Sequence, residues 1–186
     1  MRLEDLNALG AEAAERKLLR CCGSLQWATM MVAARPFESA EAMTATGDAI
    51  WARLDPADWI EAFAAHPRIG ERGAGTTDRA GEMGRAGEAR RADRENWSQQ
   101  EQAGIAAAAE DVRTRLAAAN REYHARFGYI FIVCATGKTA EEMLEILERR
   151  LKNAPESELR VAAEEQRKIT RLRLAKLLEY EQAPTT

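Results

Sequence analysis

The chain contains two histidines, and only one of them lies where it could transfer a proton. His66 follows a helical pattern and precedes Pro67, which disfavours the α conformation for the residue before it and places His66 just beyond a helix end. The last carbonyl groups of that helix favour a protonated imidazole, whereas burial favours the neutral ring. His66 is therefore a candidate proton donor whose protonation state the sequence leaves open. His124 lies inside a long helical pattern and is expected to be an ordinary surface or core residue.

A second group of polar residues runs from Ser98 to Gln102. Ser98 and Glu101 match a capping box, and that structural role explains both residues without any ligand. The start of a helix also offers amide protons to an anionic ligand, and a carboxylate there can accept hydrogen bonds from ligand nitrogens. Gln102 adds an amide that suits a ureide or imidazole edge, although a solvated glutamine is the default. Both interpretations of this turn stay open.

The apolar run from Phe131 to Ala135 is interpreted first as core. It belongs to the only strongly strand-like stretch in the chain, residues 129–134, and a single strand has no partner. We therefore expect a buried extended or helical segment that crosses the core. If it is extended, its unpaired amide and carbonyl groups would face whatever lies beside it.

Several kinds of chemistry have no support in the sequence. There is no Gly-x-Ser-x-Gly motif and no dinucleotide-binding fingerprint, so covalent serine catalysis and nucleotide binding are not expected. The three cysteines, Cys21, Cys22 and Cys134, lack zinc-site spacing and are predicted to be reduced thiols, with no metal site.

The charge composition argues against nucleic acid and charged membranes as binding partners. The net charge of −3 and the isoelectric point near 5.6 give no basic excess for nucleic acid or for a charged membrane surface. The first residues lack the apolar core of a signal peptide, and no run of about 18 apolar residues occurs. We expect a cytoplasmic protein.

Glycine, proline and capping residues divide the chain into helical segments. The predicted segments are Asn7–Cys22, a short helix capped by Ser24 and stopped by Pro36, Ala40–Leu54, Asp55–Ala65, Ser98–Arg126, Thr139–Lys152 and a final helix after Pro155. A Gly- and Arg-rich loop is predicted at about 70–96. The predicted fold is all-α: one domain over residues 1–186, built as an irregular bundle of about eight helices.

Four motifs in this order resemble the 2-oxo-4-hydroxy-4-carboxy-5-ureidoimidazoline (OHCU) decarboxylase family. They are His66–Glu71, Trp97–Gly104, Phe127–Ala135 and Glu165–Leu174, and the resemblance extends from about Arg35 to Leu178. The loop at about 70–96 looks longer than the family's usual connection.

The resemblance implies an all-helical homodimer that converts OHCU to (S)-allantoin in urate degradation without metal or organic cofactor. It implies that His66 is the proton donor, with Glu101 as a second catalytic residue and Pro67 lining the site. The implied substrate contacts are Ser98, Gln99, Gln100, Glu101 and Gln102, together with Phe131, Ile132, Val133, Cys134 and Ala135, the last five largely through their backbone.

Two other functions are compatible with a small helical protein. One is a non-catalytic module that binds a partner protein through an exposed helix face such as the carboxyl-terminal one. The other is a decarboxylase or hydrolase of a related ureide, which would use the same groups. A screen of substrates distinguishes an enzyme acting on a related ureide from an OHCU decarboxylase.

Overall fold

A computed structural model describes residues 1–67 and 110–179, and these ranges contain eight helices and no β-strand. The all-α prediction is therefore confirmed. The helices are α1 (Leu3–Ala8), α2 (Ala11–Cys22), α3 (Leu25–Ala33), α4 (Ala40–Trp51), α5 (Pro56–Ala64), α6 (Glu110–Phe127), α7 (Ala140–Arg150) and α8 (Pro155–Glu179).

The chain divides into two compact units. One comprises Met1–Ala65 and Leu159–Thr186, and the other is His66–Glu158. The helix α8 contributes its first residues to the second unit and its remainder to the first. The organisation of residues 1–186 as a single domain stays a prediction.

Serine residues cap the first turns of α3 and α4 as predicted. Ser24 Oγ accepts a hydrogen bond from the Trp27 amide at 3.2 Å, and Ser39 Oγ accepts one from the Ala42 amide at 3.1 Å. Each serine satisfies an amide proton that has no partner within its own helix.

The first predicted helix is wrong at its beginning. Instead of one helix over Asn7–Cys22, the structure has α1 and α2, separated by Leu9 and Gly10 in extended conformations with ψ of 142° and 152°. The Arg35 guanidinium donates to the carbonyl groups of Leu6 (2.8 Å) and Leu9 (2.7 Å). It thereby satisfies acceptors at the end of α1, a long-range contact that helical periodicity does not reveal.

Two tryptophans organise the core of the first unit. Trp27 is fully buried, and its indole N–H donates to the Gly47 carbonyl at 2.9 Å. Trp51 donates in the same way to the Ala163 carbonyl of α8 at 2.9 Å. Both indole groups therefore bury large apolar rings without leaving their polar atom unsatisfied.

The second unit includes α6 and α7. Leu116, Ala119 and Tyr123 form a buried stripe on α6 at helical spacing, and the helix ends at Gly128, which has a φ of +81°. The predicted capping box at the start of α7 is confirmed, because Thr139 and Glu142 each accept a hydrogen bond from the other's amide. Of the helices in the described ranges, none is both long and apolar enough to cross a membrane.

Candidate functional site

The helix α5 determines where His66 lies. It begins with the predicted acidic cap and proline, Asp55 and Pro56, and ends at Ala64 with Ala65 as its carboxyl cap. His66 follows directly, so the predicted helix boundary is confirmed. The residue is half-buried and its Nε2 atom is shielded from solvent, whereas Pro67 is exposed.

The end of α5 packs closely against Gly23. A Cβ atom at Gly23 would lie 2.6 Å from Ala65 Cβ and 3.0 Å from the Ala62 carbonyl oxygen, and Gly23 has a φ of +91°. Nearby, the Leu25 amide donates to the Glu61 carboxylate at 3.1 Å. Glycine is therefore required at position 23 for two reasons, its left-handed backbone and its lack of a side chain. The residue immediately before His66 is positioned by this contact.

The segment Phe131–Ala135 connects α6 to α7 and is neither helix nor strand. Phe131, Ile132 and Val133 are buried, while Cys134 and Ala135 are half-buried. The prediction of a buried segment outside any sheet is confirmed. Of the two predicted alternatives, extended or helical, the helical one does not occur.

The carbonyl groups of this segment are bound by its own chain. Arg150 Nη1 donates to the Ile132 carbonyl at 2.7 Å, Lys138 Nζ donates to that of Cys134 at 2.7 Å, and the Lys138 amide donates to that of Ala135 at 3.0 Å. By contrast, the amide protons of residues 131–133 meet no hydrogen-bond acceptor among residues 1–67 and 110–179. The segment thus presents three amide donors, together with the carbonyl groups of Phe131 and Val133, which likewise meet no donor among the described residues. Buried amide protons require a partner, which a ligand or water can supply.

Part of the predicted site lies in one compact unit. His66, Pro67 and Phe131–Ala135 all belong to the His66–Glu158 unit. The remaining predicted site residues, Ser98, Gln99, Gln100, Glu101 and Gln102, lie outside the described residues, as does the loop predicted at about 70–96. Their roles stay predictions.

A buried polar cluster beside Phe131–Ala135 was not predicted from the sequence. Arg150 is only 4% exposed and Glu158 is fully buried, and their side chains form an ion pair at 2.5 Å. The Tyr123 hydroxyl donates to Glu158, and Asn153 Nδ2 donates to the same carboxylate at 2.7 Å. Burial raises the pKa of Tyr123 above its ordinary range, with Arg150 acting in the opposite direction, and burial raises the pKa of Tyr129 to about 12. The tyrosine hydroxyls therefore stay protonated at neutral pH.

A sequence signal for Arg150 does exist. Met143, Leu144 and Leu147 mark the apolar stripe of α7, and Arg150 continues it three residues further on. Because the adjacent Glu148 and Arg149 are charged as well, the position resembles a solvated helix end. Only its helical spacing from Leu147 distinguishes Arg150 from a solvated residue at a helix end.

A second set of buried polar residues occurs on α8, within the fourth motif. Gln166, Thr170 and Arg173 are buried at helical spacing, with exposures of 0%, 6% and 5%. Gln166 Nε2 donates to the Cys22 carbonyl and to the Thr170 hydroxyl, both at 3.2 Å. Gln166 thereby connects α8 to the end of α2. These three residues were not predicted individually from the sequence.

Among the described residues, no group of three or more His, Cys, Asp or Glu side chains could hold a metal ion. Cys21 and Cys22 are fully buried, and burial raises the pKa of each thiol to about 12. The absence of a cofactor stays a prediction.

Comparison with known proteins identifies similar sequences. The family model described as OHCU decarboxylase matches residues 7–175. The uric acid degradation bifunctional protein TTL of Arabidopsis thaliana is 38% identical over 169 residues, which cover 91% of this chain and 48% of that protein. The 2-oxo-4-hydroxy-4-carboxy-5-ureidoimidazoline decarboxylase of Mus musculus is 42% identical over 84 residues, covering 45% of this chain and 47% of that one. The chain thus spans about half the length of these relatives.

Solved structures resemble this fold as well. A crystal structure of OHCU decarboxylase in the presence of (S)-allantoin has a TM-score of 0.70 and 34% identity, covering 88% of this chain and 98% of that one. A crystal structure of (S)-allantoin synthase has a TM-score of 0.66 at 18% identity, covering 96% of this chain and 54% of that one, and shows likeness of fold alone.

Proposed function

This chain belongs to the OHCU decarboxylase family, and we propose that it decarboxylates 2-oxo-4-hydroxy-4-carboxy-5-ureidoimidazoline to (S)-allantoin in urate degradation. The observation that carries the proposal is the position of His66 directly beyond α5, in the same compact unit as a buried segment that presents backbone donors. A proton donor and fixed hydrogen-bond donors are the groups that this reaction requires of a protein.

The reaction needs no cofactor, because the substrate ring carries its own carbon–nitrogen double bond. The bond between ring carbon and carboxylate breaks, carbon dioxide leaves, and the electron pair moves into the ring. Hydrogen bonds stabilise the charge that develops there, and the site holds the carboxylate where its bond overlaps best with the double bond. His66 then delivers a proton to one face of the adjacent ring carbon, which bears the ureido group, while the hydroxyl on the decarboxylated carbon loses its proton and becomes the ring carbonyl of allantoin. Protonation on one face makes the product a single enantiomer.

Backbone donors suit the functional groups of this substrate. Its carboxylate and ureide carbonyls are hydrogen-bond acceptors, and the amides of Phe131, Ile132 and Val133 are donors without a described acceptor. The family resemblance assigns the other contacts to Pro67, Cys134, Ala135 and residues 98–102, with Glu101 and Gln102 addressing ring and ureide nitrogens. A protein site that is mostly backbone depends on how rigidly its segment is held.

We also propose a cytoplasmic homodimer. The family resemblance is the support for the dimer, and the expected result in sedimentation equilibrium is twice the chain mass of 20.7 kDa. A mass of one chain at micromolar concentration contradicts the dimer. The three cysteines, none of them in a disulfide, are compatible with a reducing compartment, and cell fractionation tests the location.

A coupled assay tests the function. The unstable ureidoimidazoline is generated from urate by the two preceding enzymes, this protein is added, and the circular dichroism of allantoin is followed against a protein-free control. Rapid appearance of one enantiomer is expected. A rate equal to that of spontaneous, racemic decay would exclude OHCU as the substrate and favour the binding module or a related ureide.

A further inference from the structure

We propose that Arg150 is a positioning residue of this site: it holds the Phe131–Ala135 segment by its carbonyl side and thereby aims a backbone amide at the substrate. The inference rests on the proposed function and extends it to a residue on another element. Arg150 is the last residue of α7, and its side chain reaches back to the segment that precedes the helix.

Every arm of the Arg150 guanidinium is engaged. Nε donates to Glu158 at 2.7 Å, Nη2 pairs with Glu158 at 2.5 Å and donates to the Tyr123 hydroxyl at 3.3 Å, and Nη1 donates to the Ile132 carbonyl at 2.7 Å. The guanidinium is planar, so the contacts with Glu158 fix the direction in which Nη1 points. The Ile132 carbonyl is therefore held by a donor that is itself immobilised.

Holding that carbonyl also orients an amide proton. The Ile132 carbonyl and the Val133 N–H belong to one planar trans peptide unit and point in opposite directions. With the carbonyl bound to Arg150, the Val133 N–H must point away from the ion pair. It is one of the amides that have no acceptor among the described residues.

The side chain of Phe131 is held from the same direction. The Arg150 guanidinium carbon lies 4.8 Å from the centre of the Phe131 ring, and the rings of Phe131 and Tyr123 make an edge contact with centres 5.3 Å apart. Arg150 thus contacts two consecutive residues of the segment, one through its backbone and one through its ring.

Energetics favour a positional role over a purely stabilising one. A buried ion pair contributes little net stability compared with an apolar pair of similar volume, because both charges must leave water. An apolar pair, however, could not bind a carbonyl. The property that distinguishes this ion pair from ordinary core is the hydrogen bond to Ile132.

The experiment compares Arg150→Lys with Asn153→Ala. Lysine keeps the charge beside Glu158, but its three donors radiate from a single nitrogen, so it cannot occupy the separate positions from which Nε, Nη1 and Nη2 bind Glu158 and the Ile132 carbonyl. Asn153→Ala removes a donor to the same Glu158 carboxylate and leaves the Arg150–Ile132 bond in place. Both variants perturb the cluster, and only the first releases the segment.

Two readouts are measured, kcat/KM for decarboxylation and the hydrogen-exchange rate of the Val133 amide, both well below the Tm of each variant. For Arg150→Lys we expect kcat/KM to fall about 10- to 100-fold, since displacements on the order of 1 Å have effects of this size, and we expect faster exchange at Val133. Asn153→Ala should lower the Tm while kcat/KM stays within about 3-fold of wild type.

The outcomes separate this inference from the proposed function. Two outcomes overturn the positioning role. One is a loss of activity that is proportional to the loss of Tm in both variants. The other is a wild-type rate in Arg150→Lys. If the wild-type protein has no decarboxylase activity, the proposed function fails, and the exchange rate at Val133 still decides whether Arg150 holds the segment. Should Arg150→Lys not fold, the double variant Arg150→Met/Glu158→Met removes both buried charges and takes its place in both readouts, with the same result expected.

Discussion

At the level of single residues, the proposed chemistry depends on one side chain and a few backbone groups. His66 is half-buried at the end of α5, and the amides of Phe131, Ile132 and Val133 lack a described acceptor. In a site of this kind a side chain transfers the proton, while backbone amides stabilise the negative charge of the substrate. A side-chain mutation does not remove a backbone amide. Backbone donors must therefore be tested by a measurement other than mutagenesis.

Binding of product should slow hydrogen exchange at these amides. Excess (S)-allantoin should protect the amides of Phe131–Val133, because each would donate a hydrogen bond to the ligand. Amides within α7 serve as the internal control, since their acceptors are in their own helix and their rates should not change. Equal rates at Phe131–Val133 with and without allantoin would contradict direct binding by this segment.

At the scale of helices, α5 and its neighbours position the candidate proton donor. The carboxyl end of α5 contacts Gly23, at the junction between α2 and α3, so the residue before His66 cannot move without disturbing that junction. The requirement for glycine there is steric as well as conformational.

Gly23→Ala should therefore be more destabilising than an alanine at another left-handed glycine. The backbone alone costs about 1–2 kcal/mol in the left-handed region, and the contact with Ala65 adds to this at Gly23. Gly137→Ala is the matched control, since Gly137 has a φ of +77° and nothing within 4 Å of the added Cβ.

Urea unfolding of both variants measures the difference. We expect a larger loss of unfolding free energy for Gly23→Ala, together with a lower kcat, because His66 follows the displaced helix end. Equal losses in the two variants would show that the close packing has no effect.

Many of the helix boundaries could be predicted from particular residues. Ser24, Ser39 and Thr139 marked helix starts, and Pro67 marked the end of α5, because caps and prolines act within a few residues of their own position. The break between α1 and α2 could not be predicted in this way. The carbonyl groups at the end of α1 are satisfied by Arg35, which is distant from them in sequence.

In the candidate site, too, residues with local sequence signals could be predicted, whereas residues defined by long-range contacts could not. His66 and Phe131–Ala135 were selected from local patterns and from the family resemblance. Arg150 was not, because its partners Ile132 and Glu158 are assembled only by the fold. A charged residue at a helix end looks solvated until its tertiary partners are known.

At the scale of the whole molecule, the buried titratable groups determine how stability depends on pH. In the unfolded chain, Cys21 and Cys22 would ionise near their ordinary pKa of 9.0, whereas in the native protein burial raises the pKa of each thiol to about 12. The unfolded state therefore loses its protons first. Stability that is fully present below pH 9 should fall as the pH rises toward 12. Tyr129, whose pKa burial also raises to about 12, acts in the same direction.

The fall is measurable by urea unfolding at about pH 8 and about pH 10. Each thiol contributes up to about 1.4 kcal/mol per pH unit once the unfolded form is ionised. Cys22→Ala removes one of these contributions and should show a smaller loss between the two pH values. An unfolding free energy that is the same at both pH values would contradict the native burial of these thiols.

His66 is the proposed proton donor, and a comparison of His66→Ala with His124→Ala in the coupled allantoin assay tests this assignment. General acid catalysis typically contributes about 10² to 10⁴ in rate, so His66→Ala should lose about that factor in kcat and yield racemic allantoin from spontaneous decay. His124→Ala, on α6, should retain the wild-type rate and a single enantiomer. A wild-type rate in His66→Ala would contradict the assignment of the proton donor.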